Sequence, residues 1–324
     1  GFMKKTLLLS LVMVAGIIVT GCGKQAAAPG ETADKAPDKL RIALVMKSLA
    51  NEFFLTMEQG ARAHQAAHAD QYVLLADGIK DELDVNRQIQ LVEQMMARHV
   101  DAIVIAPADS KALVQVCQRA QEAGIIVINI DNKFDDEIMK QRGVHIPFVG
   151  PDNRKGARLA GEYLAARLQP GDPVAIIEGV PSAFNGIERR LGFEAAMKEA
   201  GMNIVASQVG DWEMDKAHRV VSALITEHPD IKAFLCANDS MALGAVAALR
   251  SAGKLQGIPV IGFDAISAAV DLVKKGELLA TVTQHADRLA VFGIEAALEV
   301  LKTKATPEDM ETPVELVTAE ALAS

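Results

Sequence analysis

The stretch Ala233-Phe234-Leu235-Cys236-Ala237-Asn238-Asp239-Ser240-Met241-Ala242-Leu243-Gly244-Ala245 decides the fold. Its first four residues are apolar and read as a buried strand, Asp239-Ser240 is a helix-capping pair, and a helical pattern follows from Met241. Gly253 stops that helix, and Pro259-Val260-Ile261-Gly262 opens a second strand that runs straight into Phe263-Asp264. Strand, helix and strand in about 30 residues make a βαβ unit, whose two strands lie parallel.

Outward from this unit the same rhythm fills the chain. Strand-like runs stand at 40–46, 72–75, 102–105, 125–130, 148–149, 174–177, 204–205, 233–236, 259–262 and 280–282. Between them apolar residues recur at helical spacing, as in Leu91 and Met95, Val92 and Met96, or Leu164 and Leu168. Asp109-Ser110 and Asp152-Asn153 are further helix starts, and Gly124 and Gly201 further stops. Ten strands in 324 residues fit two sheets of about five better than one. A closed eightfold barrel alternates strand and helix in the same way, and periodicity alone leaves both arrangements open.

Composition narrows the function. Half the residues are apolar, which is ample for two cores, and 33 basic against 42 acidic residues leave a net charge of −9, with no electrostatic footprint for nucleic acid. Three cysteines make no disulfide framework, the seven histidines form no paired-ligand spacing, and no metal or cofactor is expected. Cys117 and Cys236 fall inside helix and strand patterns and read as small buried hydrophobes.

The amino terminus has another character. Met3-Lys4-Lys5 precedes an apolar run from Leu7 to Val19, the pattern of an export signal over 1–21. The run is too short for a permanent membrane helix, which needs about 20 residues. It ends in Val19-Thr20-Gly21-Cys22, which resembles the lipobox of bacterial lipoproteins and so implies lipid on Cys22. Residues 22–38, rich in Ala, Pro, Gly and charge, read as a tether that holds an exported body at the membrane face.

Ligands of open parallel sheets bind outside the carboxyl ends of the strands, so the residues just past each run carry the functional signal. They are Lys47 and Asn51 to Phe54 after the first run, Asp131-Asn132 after the fourth, then Glu178 and the loop to Arg189-Arg190, Asp211-Trp212-Glu213, Asn238-Asp239, Phe263-Asp264 and Gln284. Acids and amides each address neighbouring hydroxyls, and aromatic rings lie against the C–H faces of a sugar. Taken singly, each phenylalanine reads as core and Asn238, Asp239 and Asp264 read as helix caps. Their joint appearance at strand ends points to a polyhydroxylated ligand. Glu58, Asp81, Glu82 and Asp211 read as solvated surface acids.

The most specific segments are Ile42-Ala43-Leu44-Val45 with Asn51-x-Phe53-Phe54, the run Asn238 to Ala245, Val260-Ile261-Gly262-Phe263-Asp264, and Ala280-Thr281-Val282-Thr283-Gln284. On these the chain, from about Lys39 to Leu316, resembles the ribose-binding proteins, the type I solute-binding proteins of ABC sugar importers. The resemblance implies two Rossmann-like lobes with parallel sheets joined by a hinge of three crossings, near Gly150, Gln284-His285 and Thr312-Pro313. The lobes would be 39–150 plus 285–313, and 151–284 plus 314–324. It implies ligand contacts at Asn51, Phe53, Phe54, Asp131, Trp212, Asn238, Asp264 and Gln284. Lys47, Ala106 and Asn132 stand where ribose binders carry a small hydroxyl residue, an asparagine and an arginine. The arginine of the second lobe falls by strict spacing on Ile187, with Arg189 or Arg190 as substitutes. These exchanges change which hydroxyls are met and leave another pentose, a hexose or a polyol such as inositol open. Further implied partners are a permease and its cytoplasmic ATPase, with the protein a monomer that touches the membrane through its lipid alone.

Rival classes fare worse. No nucleophile elbow, zinc motif or dinucleotide fingerprint supports an enzyme, and no phosphate loop supports ATP hydrolysis. A sugar-responsive repressor needs an amino-terminal helix-turn-helix where this chain has a signal and tether. A sensor that presents its closed form to a receptor is not separable from an importer component by sequence.

Overall fold

From Ile42 to Met46 the first strand is fully buried, as expected of a parallel strand covered on both faces. Its period of two feeds two cores: Ile42, Leu44 and Met46 pack with Phe53, Phe54 and Met57, while Ala43 and Val45 pack with Leu91, Val92 and Met95. A computed structural model describes residues 39–324. The export signal, Cys22 and the tether lie outside the described residues.

The first half runs β1 (Leu40–Ser48), α1 (Glu52–Ala67), β2 (Tyr72–Ile79), α2 (Val85–Ala97), β3 (Ala102–Ile105), α3 (Val114–Glu122), β4 (Ile126–Ile130), α4 (Asp136–Arg142) and β5 (Phe148–Pro151). The second repeats the pattern with α5 (Asn153–Ala165), β6 (Pro173–Glu178), α6 (Phe184–Glu199), β7 (Asn203–Val209), α7 (Met214–Glu227), β8 (Ala233–Cys236), α8 (Asp239–Ser251), β9 (Val260–Ile261), α9 (Ser267–Lys274) and β10 (Ala280–Thr283). The carboxyl end adds α10 (Ala286–Thr303), β11 (Met310–Thr312), β12 (Glu315–Thr318) and α11 (Ala319–Ala323).

Two six-stranded sheets result, ordered β11-β5-β4-β3-β1-β2 and β12-β10-β9-β8-β6-β7. The barrel is thereby excluded. Each order reverses at its first strand, β1 or β6, so each sheet has a switch point where the loops after neighbouring strands part and leave a crevice. The chain passes from one sheet's layer to the other's after β5, after β10, and between β11 and β12. The sequence reading expected about five strands per sheet. The structure adds β11 parallel to β5 and β12 antiparallel to β10, edge strands too short to carry a period.

Gly60 lets α1 and α10 touch, since a Cβ there would run into the Asp287 carbonyl. Forcing the helices apart costs about 1–3 kcal/mol. Gly60→Ala is therefore expected to lower the melting temperature by several degrees with the secondary structure retained, and thermal unfolding checks it; an unchanged melting temperature contradicts the close approach.

Candidate functional site

The switch points of the two sheets face each other across one cavity. Lys47, Asn51, Phe53, Phe54 and Asp131 line it from the first sheet's loops and helices, and Arg189, Trp212, Asn238, Asp264 and Gln284 from the second's. Local structure aims them. Asn51 caps α1 by accepting from the Phe53 N–H at 3.0 Å, which turns Phe53 and Phe54 inward, their rings edge to face at 5.1 Å. Asn238 caps α8 through the Met241 N–H at 2.9 Å and donates its amide to the Trp212 carbonyl at 3.3 Å. Asp131, Trp212 and Asp264 all have positive φ, at 64°, 67° and 120°, a conformation that L-residues rarely adopt and that concentrates at binding sites.

Buried charge dominates the interior. Lys47 Nζ stands 3.3 Å from Glu82 and 3.4 Å from Asp131, an ion triad without hydrogen-bond angles at those two oxygens. Burial works against the Lys47 charge, yet the two carboxylates hold its pKa above the ordinary lysine value. The Glu82 pKa is also raised, by burial ahead of the opposing pull of Lys47. Arg189 donates to the Asn153 side chain and the Ala237 carbonyl, both at 2.9 Å, and stacks on Phe263 at 3.8 Å. Burial lowers its pKa despite Asp264 at 3.7 Å.

Asp264 accepts from the Gln284 amide at 2.9 Å, and burial pushes its pKa up to about 8. That lies above the ordinary 3.8, so the fold favours the protonated acid. The resulting stability is complete below about pH 4 and is lost as pH climbs through about 8. Asp264→Asn, which cannot ionise, is therefore expected to melt increasingly above the ligand-free wild type between about pH 5 and pH 9. A melting difference that stays constant with pH contradicts the shift.

Six buried side-chain atoms of the described residues lack a hydrogen-bond partner, and five belong to residues lining this cavity: Glu82 Oε2, Asp131 Oδ2, Asn185 Oδ1, Trp212 Nε1 and Gln284 Oε1. The Glu82 and Asp131 oxygens face the Lys47 ammonium, while each of the other three costs about 1–3 kcal/mol as long as it stays unmet. Four of the five are acceptors and one is a donor, so the complementary ligand is rich in hydroxyl donors. The aromatic rings give it flat apolar walls.

Several sequence expectations change. Asn132 does not line the cavity; it is fully buried, with its amide turned to the Pro107 carbonyl at 2.8 Å and the Asn185 N–H at 3.0 Å. Phe263, an aromatic at a strand end that singly reads as core, lies under Arg189 and packs against Gly156. Arg190 turns away to Glu194 at 2.6 Å and Glu178 at 3.6 Å, so Arg189 is the arginine at the cavity, while Ile187 is 37% exposed. Glu82, read as a surface acid, is 3% exposed and lines the cavity. Asn185 was missed entirely, because a residue in the first turn of α6 sits far from any strand end. Asp239 is a structural group, bound to Thr281 Oγ1 at 2.7 Å and the Ile266 N–H at 3.0 Å. Cys117 and Cys236 are buried, which pushes the Cys117 thiol up to about 12 and Cys236 above its ordinary value. Among the described residues no cluster of three or more His, Cys, Asp or Glu is placed to hold a metal ion, and no helix is long and apolar enough to cross a membrane.

Comparison with known proteins gives a consistent neighbourhood. Residues 42–305 match the periplasmic binding protein domain. A D-ribose/D-allose-binding protein of Pseudomonas aeruginosa is 54% identical over 95% of this chain and 97% of its own. Among solved structures, an ABC transporter solute-binding protein of Burkholderia multivorans superposes with TM-score 0.85 at 53% identity, covering 86% of this chain and 99% of that one. A periplasmic solute-binding protein of Actinobacillus succinogenes with bound D-allose gives TM-score 0.82 at 34% identity, covering 87% and 98%.

Proposed function

The chain belongs to the periplasmic binding protein family, and from that premise we propose that it is the solute-binding component of an ABC sugar importer, closing two lobes on one aldose. The unmet groups of Asn185, Trp212 and Gln284, beside two carboxylate oxygens that face only Lys47, all around a single cavity, carry this reading. D-Ribose and D-allose are the ligands we assign, by likeness to the Pseudomonas relative and the allose-bound neighbour. In pyranose form the two share one ring-hydroxyl pattern and differ by a hydroxymethyl group.

The work is binding and presentation, with no bond made or broken. A ligand that touches both lobes favours the closed form by its differential affinity for it. Asn51, Asp131 and Glu82 would grip from the lobe we set at 39–150 plus 285–313. Arg189, Asn238, Asp264 and Gln284 would grip from 151–284 plus 314–324, with Phe54 and Trp212 stacking on the ring. Buried groups left unmet by an epimer supply the selectivity. The closed surface would dock, as a monomer, on a permease driven by a cytoplasmic ATPase.

The experiment is a thermal-shift screen with D-allose, D-ribose, D-glucose and myo-inositol. D-Allose and D-ribose are expected to raise the melting temperature and to alter the emission of Trp212, the sole tryptophan, while D-glucose, epimeric at one hydroxyl, does neither. The reading fails if no sugar or polyol raises it.

Export and lipid attachment at Cys22 complete the proposal. Cys22→Ser is expected to move the protein from the membrane to the soluble fraction of cells, and unchanged membrane fractionation contradicts the anchor.

A further inference from the structure

Helix α6 begins without a cap of its own, because its N-cap residue is Ala183 and makes no side-chain hydrogen bond. Its first amides are satisfied from across the cleft. The Phe184 N–H donates to Ser110 Oγ at 2.9 Å and the Asn185 N–H to Asn132 Oδ1 at 3.0 Å, while the Ser110 N–H donates to the Ser182 carbonyl at 3.1 Å. Ser110 follows β3 and Asn132 follows β4, both in the first sheet, whereas α6 follows β6 of the second. Helix α9 shows the same device. Its N-cap is Ile266, again without a side-chain bond, and the Ser267 N–H donates to Glu52 Oε1 of α1 at 2.8 Å.

The capping groups are held ready. Asn132 Nδ2 donates to the Pro107 carbonyl at 2.8 Å, which aims Oδ1 at α6, and Asn129 Nδ2 fixes the Asn132 carbonyl at 2.8 Å. The Ser110 hydroxyl donates to Asn132 Oδ1 at 3.3 Å and so presents its lone pairs to Phe184. Asn129, Asn132, Ser110 and Asn185 are all at most 4% exposed.

We propose that Ser110, Asn132 and Glu52 form a closure latch that caps α6 and α9 in trans, so that the lobes swap solvent-capped helix ends for protein-capped ones as they shut. The helix capped at its start is also the one that carries Asn185 and Arg189 to the cavity. Closure thus fixes the first turn of α6 at the moment its polar groups meet the ligand. Ser110 and Asn132 are positioning residues, setting affinity without touching sugar. This rests on the sugar-binding reading for its effect on affinity, while the latch itself is a property of the ligand-free chain as well.

The test compares the full chain with Ser110→Ala, Glu52→Ala and Ser110→Ala/Asn132→Ala, using small-angle scattering, amide exchange and titration with D-allose. Loss of one cap should weaken affinity about 5-fold and loss of the pair about 5- to 30-fold, with the ratio of D-allose to D-ribose affinity unchanged. The variants should also show a larger radius and faster exchange at the amides they uncap, Phe184 for Ser110→Ala, Phe184 and Asn185 for the double variant and Ser267 for Glu52→Ala, effects that general destabilisation would not confine to those positions. Variants that match the wild type in radius and in exchange at those amides overturn the latch. Should the wild type bind no sugar, the functional reading fails, and radius and exchange still decide the latch.

Discussion

Asp264→Ala is expected to remove measurable sugar binding while the protein stays folded. In the structure the carboxyl group takes one hydrogen bond, from Gln284, and no backbone N–H depends on it. It is buried beside Arg189 with a pKa near 8, so its charge is costly while no hydroxyl addresses it. A sugar that donates two hydroxyls to this group would make two charge-assisted bonds worth about 1.5–3 kcal/mol each, so the alanine variant loses about 10²- to 10⁴-fold in affinity. Stability should hold or rise, because a group unfavourable to ionise is gone while the backbone strain at φ 120° is the same for alanine. Calorimetric titration with D-allose and thermal unfolding measure the two halves. Retained affinity would leave Asp264 with no role at the ligand.

The second large effect concerns Lys47, the cation between Glu82 and Asp131. Lys47→Met keeps length and packing but leaves two buried carboxylates facing each other without a counter-charge. Breaking a buried pair in this way costs about 3–5 kcal/mol. The loss should shrink at acid pH, where Glu82, whose pKa burial raises, takes up a proton. Adding Glu82→Gln should recover much of the stability while sugar binding stays impaired, since a lysine donor and a carboxylate acceptor are both missing from the cavity. Denaturant unfolding of the single and double variants checks this as a cycle. If Lys47→Met were neutral for stability, the triad would not be an interacting unit.

These two variants also mark what a sequence discloses. Strands β3 and β8 are legible end to end, at Ala102–Ile105 and Ala233–Cys236, because both are short, wholly apolar and flanked by turn residues. Strands β11 and β12 are illegible: three or four residues at a sheet edge, half solvated, show neither a period nor an apolar run. At the site, the rule that ligands lie beyond strand ends leads to Lys47, Asp131 and Asp264 without any structure. It fails at Asn132 because successive residues of a turn point apart, and Asp131, at φ 64°, takes the cavity side alone. Glu82 was hidden by its neighbour, since Asp81-Glu82 reads as an acidic surface turn, and only the folded chain sets Lys47 3.3 Å from one of the two. Asn185 belongs to a helix start, where no local pattern separates a residue turned to the cleft from one turned to solvent.

The most direct measurement of the central claim is a structure of the full chain crystallised with D-allose. It should place one unaltered pyranose in the cavity between the sheets. Its hydroxyls should lie within hydrogen-bond distance of Asp131, Gln284 and Asp264 and its ring against Trp212. Sugar bound elsewhere, or a cavity that stays empty of sugar at saturating D-allose and D-ribose, would contradict the account.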